Sequence, residues 1–252
     1  MNTSAYLKKA FPYPFKQKLK NGLSVSDIIK NSYVTFNNDN VYRLFAPFNF
    51  VSTAWSGSVL INKNTASQSV DFACLFRLML GNSRFTLTER LSGYIDLRIR
   101  SADGTVQKDA QSTVVPTLNH DIGFYYSWNL TNLTLVIWDF TSNTLVESIV
   151  VSASTSLVVW TEADGLYIGN RADGTLPYNG LVYGGTLKAG IGYTSAELQA
   201  LAASGNLVPA DNFYFDPQFF GRKGTVNIAE PHGLDLILTP TDPTNLTNFW
   251  GA

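Results

Sequence analysis

The sequence has 252 residues and a formal net charge of −1, with 45% hydrophobic, 13% aromatic and only 15% charged residues. No basic stripe is present to neutralise phosphates, which argues against a nucleic-acid partner, and no apolar run approaches the roughly 20 residues that span a bilayer. The single cysteine, Cys74, leaves no intrachain disulfide and reads as a small buried hydrophobe.

Residues 1–32 differ from the rest of the chain. The stretch KAFPYPF sets two prolines between aromatics, Asn21-Gly22 makes a turn, and Ser24 or Ser26 can cap a short helix through Asp27-Ile28-Ile29. This segment reads as a docking arm. It carries no continuous apolar core of the signal-peptide kind, so synthesis in a cytoplasm without secretion is expected.

Residues 33–216 read as one β-sandwich. Segments such as SYVTF, SGSVLINK, SVDFACLFRLML, RFTLTER, GYIDLRIR, GFYYSWN, LTLVIWDF, TLVESIVV, SLVVW, GLYIG and NGLVYGGTL are rich in β-branched and aromatic residues and are parted by Gly, Asn and Asp turns. In GYIDLRIR, Ile95, Leu97 and Ile99 alternate with Asp96, Arg98 and Arg100, the mark of a strand with one buried and one charged, solvent-facing side. Close-spaced strands without helices between them imply an antiparallel sandwich. One short helix interrupts the pattern near 194–204. Thr194 and Glu197 form a capping box, Leu198 and Leu201 share a face, and Gly205 can end it in the left-handed conformation. A further strand is expected around Phe213 to Phe215. Residues 217–252 form a C-terminal extension with one good strand, Leu234 to Leu238, and a Pro/Thr/Asn-rich tail suited to docking.

Signs of chemistry are few. Glu89 with Asp96 is the nearest approach to a carboxylate pair, but the two fall on different strands; Glu162 with Asp164 reads as a turn. His120 and His232 are isolated, which argues against zinc. Calcium is the candidate metal, with Asp164, Asn170 and Asp173 near one loop edge, set against ordinary turn-forming side chains. Trp55, Trp160 and Tyr178 lie beside turns and could stack on a sugar, with Arg171 and Asp173 at the adjoining turn tip. Trp128 and Trp138 fall within strands and read as core. For Tyr178 the competing role is packing beneath the turn that starts the next strand.

The run LYIGNRADGTLPYNGLVYGGTL, continuing to YTSAELQAL, resembles the end of a laminin-G-like domain of the concanavalin A-like lectin/glucanase superfamily. FYYSWNLTNLTLVIWDFTSNTLVES resembles the strand pair that precedes it. The resemblance implies an all-β jelly roll, with the short helix closing the unit. Together with the low charge, the two irregular termini and the lack of a catalytic pair, it leads to the expectation of a non-enzymatic bacteriophage virion protein, such as a tail, fibre or capsid-decorating subunit. Its expected partners are other virion proteins bound through the terminal arms, copies of itself in a homo-oligomer with a trimer favoured, and cell-surface carbohydrate. The alternative is a carbohydrate-binding module of a cellular protein; a glycoside hydrolase is the least favoured.

Overall fold

The computed structural model describes residues 24–25, 33–37, 44–46, 54–80, 83–101, 107–153, 165–170 and 175–209, and the short strands at 213–215, 226–227, 236–238 and 250–251. The strands are β1 (Tyr33–Asn37), β2 (Leu44–Ala46), β3 (Trp55–Asn62), β4 (Ala73–Leu80), β5 (Ser83–Glu89), β6 (Ile95–Arg100), β7 (Gln107–Gln111), β8 (Asp121–Trp128), β9 (Asn132–Asp139), β10 (Thr144–Ser152), β11 (Gly165–Ile168), β12 (Asn179–Ala189), β13 (Phe213–Phe215), β14 (Val226–Asn227), β15 (Leu236–Leu238) and β16 (Trp250–Gly251). Helix α1 spans Ser195–Ala203. The first sheet runs β10-β9-β8-β3-β12-β1-β16, with β13 also on β12; the second runs β14-β15-β2-β11-β4-β5-β6-β7. Pairings are antiparallel throughout both sheets, as in Trp55↔Trp128 and Leu87↔Leu97. The fold is an all-β sandwich, as the alternation implies.

Side-chain alternation decides which residues enter the core. From the first sheet come Trp55, Val59, Ile61, Phe124, Tyr126 and Leu135; from the second come Phe76, Leu78, Phe85, Leu87, Ile95 and Leu97. The Tyr126 ring lies between the sheets, 5.1 Å from Phe76 and 5.6 Å from Phe85 by ring centroids. Its hydroxyl donates to the Thr186 carbonyl at 2.9 Å, which removes the cost of burying it. Gly57 makes this arrangement fit, because a Cβ there would sit 2.3 Å from the Tyr126 hydroxyl oxygen.

Strand β7 has no counterpart among the predicted segments. QKDAQ buries Ala110 alone and exposes three of its five residues, so it lacks the apolar signal of its neighbours; among the described residues it is the edge of the second sheet, paired with β6. The segment 156–160 lies outside the described residues. The C-terminal residues 226–251 contribute β14 and β15 to the second sheet and β16, paired to β1, to the first. From the N-terminal segment, Val25 is buried and its N–H donates to the Gly205 carbonyl at 2.7 Å.

Helix α1 forms as its sequence predicts. The Thr194 hydroxyl accepts from the Glu197 N–H, the Glu197 carboxylate accepts from the Thr194 N–H at 2.7 Å, and Gly205 takes φ +68°. Leu198 and Ala202 are buried against Tyr125 and Val136 on the outer side of the first sheet, with Leu201 half-buried beside them. No helix among the described residues is long and apolar enough to cross a membrane.

Register gathers several connections at one end of the sandwich. Asn62 lies opposite Asp121 and Leu181, Asp139 opposite Ile122, Asn37 opposite Asn179, and Glu89 opposite Ala73 and Ile95. The connections 63–72, 90–94, 112–120 and 140–143, and the turn after β11, therefore share one rim.

Candidate functional site

The turn after β11 is built on backbone hydrogen bonds. The Gly169 N–H donates to the Leu75 carbonyl at 3.2 Å, Tyr178 N–H to the Gly169 carbonyl at 2.9 Å, and Cys74 N–H to the Leu176 carbonyl at 3.0 Å. Gly169 has φ +81°, and a Cβ there would lie 1.9 Å from the Phe36 ring. Asn170 is fully buried, and its Oδ1 accepts from the Leu176 N–H at 3.2 Å. Tyr178 is 1% exposed and meets Phe36 edge-on with centroids 6.4 Å apart. At these positions the segment is a packed turn, and Tyr178 takes the structural of its two predicted roles. Trp55 needs a correction. Its place beside a turn suggests an open face, but it is 0% exposed. It pairs with Trp128 on the inner side of the first sheet, so its ring presents no surface to a sugar. Trp160, Asp164, Arg171 and Asp173 lie outside the described residues. Among the described residues no group of three or more His, Cys, Asp or Glu side chains is placed to hold a metal.

Glu89 and Asp96 are both fully buried, and they do not face each other. The register sets Thr88 opposite Asp96 and Glu89 opposite Ile95, so the two carboxylates point to opposite sides of the second sheet. Period two thus removes them as a glycosidase pair.

Glu89 points inward with Ile95. The Lys63 ammonium donates to its Oε1, and the Gln68 amide donates to its Oε2 at 3.1 Å. Lys63 is 2% exposed. Gln68 is itself fixed by Asn179, whose N–H donates to Gln68 Oε1 at 2.7 Å and whose carbonyl accepts from Nε2 at 3.0 Å. Burial pushes the Glu89 carboxyl above its ordinary range, against the pull of Lys63 and then Gln68. Burial, then the Glu89 charge, hold the Tyr178 hydroxyl protonated, far above the usual phenol range.

Asp96 points outward, where the alternation predicts a solvated face. It is covered instead. Arg98 Nη2 lies 3.1 Å and Arg90 Nη2 3.4 Å from Asp96 Oδ2. Arg98 also donates from Nε to Asp109 Oδ1 at 2.7 Å, and Arg90 Nη1 lies 3.6 Å from Asp71 Oδ2. Both guanidiniums stack over the Phe72 ring, at 4.2 Å for Arg90 and 4.4 Å for Arg98. Phe72 itself sits at φ +61°, a conformation that costs a bulky residue energy and persists only where surroundings impose it. Burial raises the Asp96 pKa, opposed first by Arg98 and, more weakly, by Arg90. Asp96 Oδ1 and Arg90 Nε are buried with no hydrogen-bond partner. An acceptor and a donor left unpaired in one cluster are costly unless something completes them. Arg90, Asp71 and Phe72 are not marked as site residues by the sequence. The one signal there is the alternating Asp96 and Arg98; nothing in the residues shows that the 63–72 and 90–94 connections fold over that face.

On the same rim, His120 Nδ1 lies 2.6 Å from Asp139 Oδ2, and Asp139 Oδ1 accepts from the N–H groups of Thr141 and Ser142. Burial raises the Asp139 carboxyl, and the hydrogen bonds from Ser142 and His120 outweigh it, so its pKa is lowered.

No protein-family model matches this chain, and no curated protein matches it. Solved structures do. A putative carbohydrate binding protein from Bacteroides ovatus superposes with TM-score 0.54 at 12% identity over 82% of this chain and 58% of its own length. A native heptameric SAP-like pentraxin from Limulus polyphemus gives 0.48 at 10% identity over 75% and 96%. The LG4-5 domains of mouse laminin alpha1 give 0.47 at 12% over 64% and 42%. The likeness is one of fold, an antiparallel β-sandwich of the jelly-roll kind.

Proposed function

We propose that this chain is a non-enzymatic, lectin-like binding protein that takes carbohydrate at the Arg90–Asp96 cluster. One observation carries the reading: Asp96 Oδ1 and Arg90 Nε, an acceptor and a donor without partners, sit together at the rim beside an exposed Asp71. Neighbouring hydroxyls of a sugar supply that complement, one donating to the carboxylate and one accepting from the guanidinium. Arg90 is 27% exposed and roofs Asp96, so a ligand enters by displacing it. The fold that this chain shares with a putative carbohydrate binding protein supports the reading. A glycan array followed by calorimetry tests it. The wild type binds, and Asp96→Asn and Arg90→Gln each lose at least tenfold, while Tyr178→Phe binds as the wild type does. No signal from correctly folded protein, or binding untouched by both substitutions, overturns it. The absence of catalysis is tested on β-glucans, where no hydrolysis is expected; turnover abolished by Glu89→Gln would refute it.

The finer reading is a virion subunit, a bacteriophage tail, fibre or capsid-decorating protein that assembles as a homo-oligomer, a trimer favoured. Its supports are the 15% charged content and the placement of C-terminal strands β14 and β16 at the outer edges of the two sheets. Edge strands offer unpaired backbone groups to another chain. Light scattering on the full chain is expected to give a trimer, and truncation after residue 216 a smaller species. A full chain that is monomeric at all concentrations sinks this part while leaving glycan binding intact.

A further inference from the structure

Lys63 and Glu89 form a buried pair that the proposed binding role does not use. Lys63 comes directly after β3 in the first sheet and Glu89 ends β5 in the second, so the pair spans the two layers of the sandwich. Their side chains are 2% and 0% exposed, and the ammonium contacts Glu89 Oε1 directly. The Lys63 backbone is held on both sides, its N–H donating to the His120 carbonyl at 3.0 Å and its carbonyl accepting from the Asn119 N–H at 2.6 Å. Asn179 grips both ends of the Gln68 amide, which settles which end is NH₂ and aims a donor at Glu89 Oε2.

We propose that Lys63 and Glu89 join as an intramolecular amide. In a dry site the ion pair and the neutral pair are closer in energy than in water, since burial penalises both charges. Proton transfer from the ammonium to the carboxylate gives a free amine beside a carboxylic acid. The amine nitrogen attacks Glu89 Cδ, and the C–N bond forms as a tetrahedral centre. Gln68 Nε2–H donates to Oε2, where negative charge develops, as an oxyanion donor does. Oε1 leaves as water, carrying the acid proton and one proton from the amine, and the C–Oε1 bond breaks. One amide and one water result, with no oxidant or co-reactant. Fixing amine and carboxyl in contact supplies an effective concentration of about 10⁵ M or more, which drives the condensation that bulk water opposes. The product would tie the two sheets covalently in a chain whose single cysteine, Cys74, is buried and joins no disulfide.

Intact-mass measurement of the full-length chain, folded at neutral pH and then denatured, decides the matter. The expected mass is one water below the sequence mass, and trypsin digestion yields a branched peptide joining the segment around Lys63 to the segment around Glu89. The variant Lys63→Arg, which keeps a cation but cannot form this amide in the same geometry, is expected at its full sequence mass. A wild type at full sequence mass, cleaved normally after Lys63, overturns the proposal, and this result needs no variant to fold. Loss of one water in Lys63→Arg as well overturns it equally, because the bond would then lie elsewhere.

Discussion

Glu89 and Asp96 are carboxylates on neighbouring strands, both fully buried, and they differ in almost everything else. Glu89 faces the core, and each of its oxygens has a partner, Lys63 and Gln68. Asp96 faces outward under a roof of arginines, with one oxygen shared by two guanidiniums and the other unpaired. A one-residue difference in register sends one charge into the interior and the other under the rim. The inner carboxylate is complete within the fold; the outer one is incomplete, and the proposed ligand is what would complete it.

The widest separation between them is expected from Lys63→Met. It removes the cation from a buried carboxylate, and breaking such a pair costs about 3–5 kcal/mol. If the amide is present, the variant also loses a closure of the chain between positions 63 and 89, on the order of 3–4 kcal/mol. Urea unfolding reads the total, and adding Glu89→Met is expected to recover part of it, since an apolar pair leaves no charge behind. Full stability in Lys63→Met alone would contradict the assignment of Glu89 to the fold.

Asp96→Asn is expected to cost less, about 1–3 kcal/mol. Arg98 keeps Asp109 and Arg90 keeps Asp71, so neither guanidinium is stranded. The same variant loses glycan affinity, whereas Lys63→Met, where folded, keeps it. A variant set in which both carboxylates behave alike in the binding assay would erase the distinction.

The pH dependence sharpens it further. Burial raises Glu89 and Asp96 above their ordinary values, so the native state holds those protons more tightly than the unfolded chain does. Their contribution is full below the ordinary carboxylate value and falls as pH rises through the raised one. An amide at Glu89 deletes its share, leaving Asp96 alone on that limb, so Asp96→Asn flattens it. Asp139 has the opposite sign, because its folded value is lowered. Its contribution is present above the ordinary value and lost as pH falls through the lowered one, and Asp139→Asn removes only that acid limb. Urea midpoints measured across the acid range, from below the ordinary carboxylate value upward, separate the three.

The smallest effect is expected from Thr194→Ala, about 1 kcal/mol from the lost cap. It lies at the far end of the sandwich and is expected to leave both mass and binding unchanged.

Much of this architecture is legible in the residues. Apolar alternation in GYIDLRIR and in its neighbours points to inner faces that the core confirms, and Thr194 with Glu197 marks the helix start. The rest is hidden because of the limits of periodicity. Alternation says which side of a strand a residue occupies; it does not say whether a distant connection covers that side. Asp96 therefore reads as solvent-facing, and it lies beneath Arg90 and Phe72. Nearness to a turn likewise fails to reveal facing: Trp55 begins β3 just after the connection yet points inward opposite Trp128. Strand β7 lacks an apolar signal because an edge strand needs only one buried residue, Ala110.

The ring of Phe36 fills the space in which any side chain at position 169 would stand. The rim turn therefore takes its shape from a strand far away in the chain, and the two cannot be assembled independently. The first sheet needs contacts of the same span, with Phe36 opposite Gly180, so one strand completes both that pairing and the turn. A nascent chain would thus lack both until β1 and β12 have met, and this sheet edge and the rim turn would take form together.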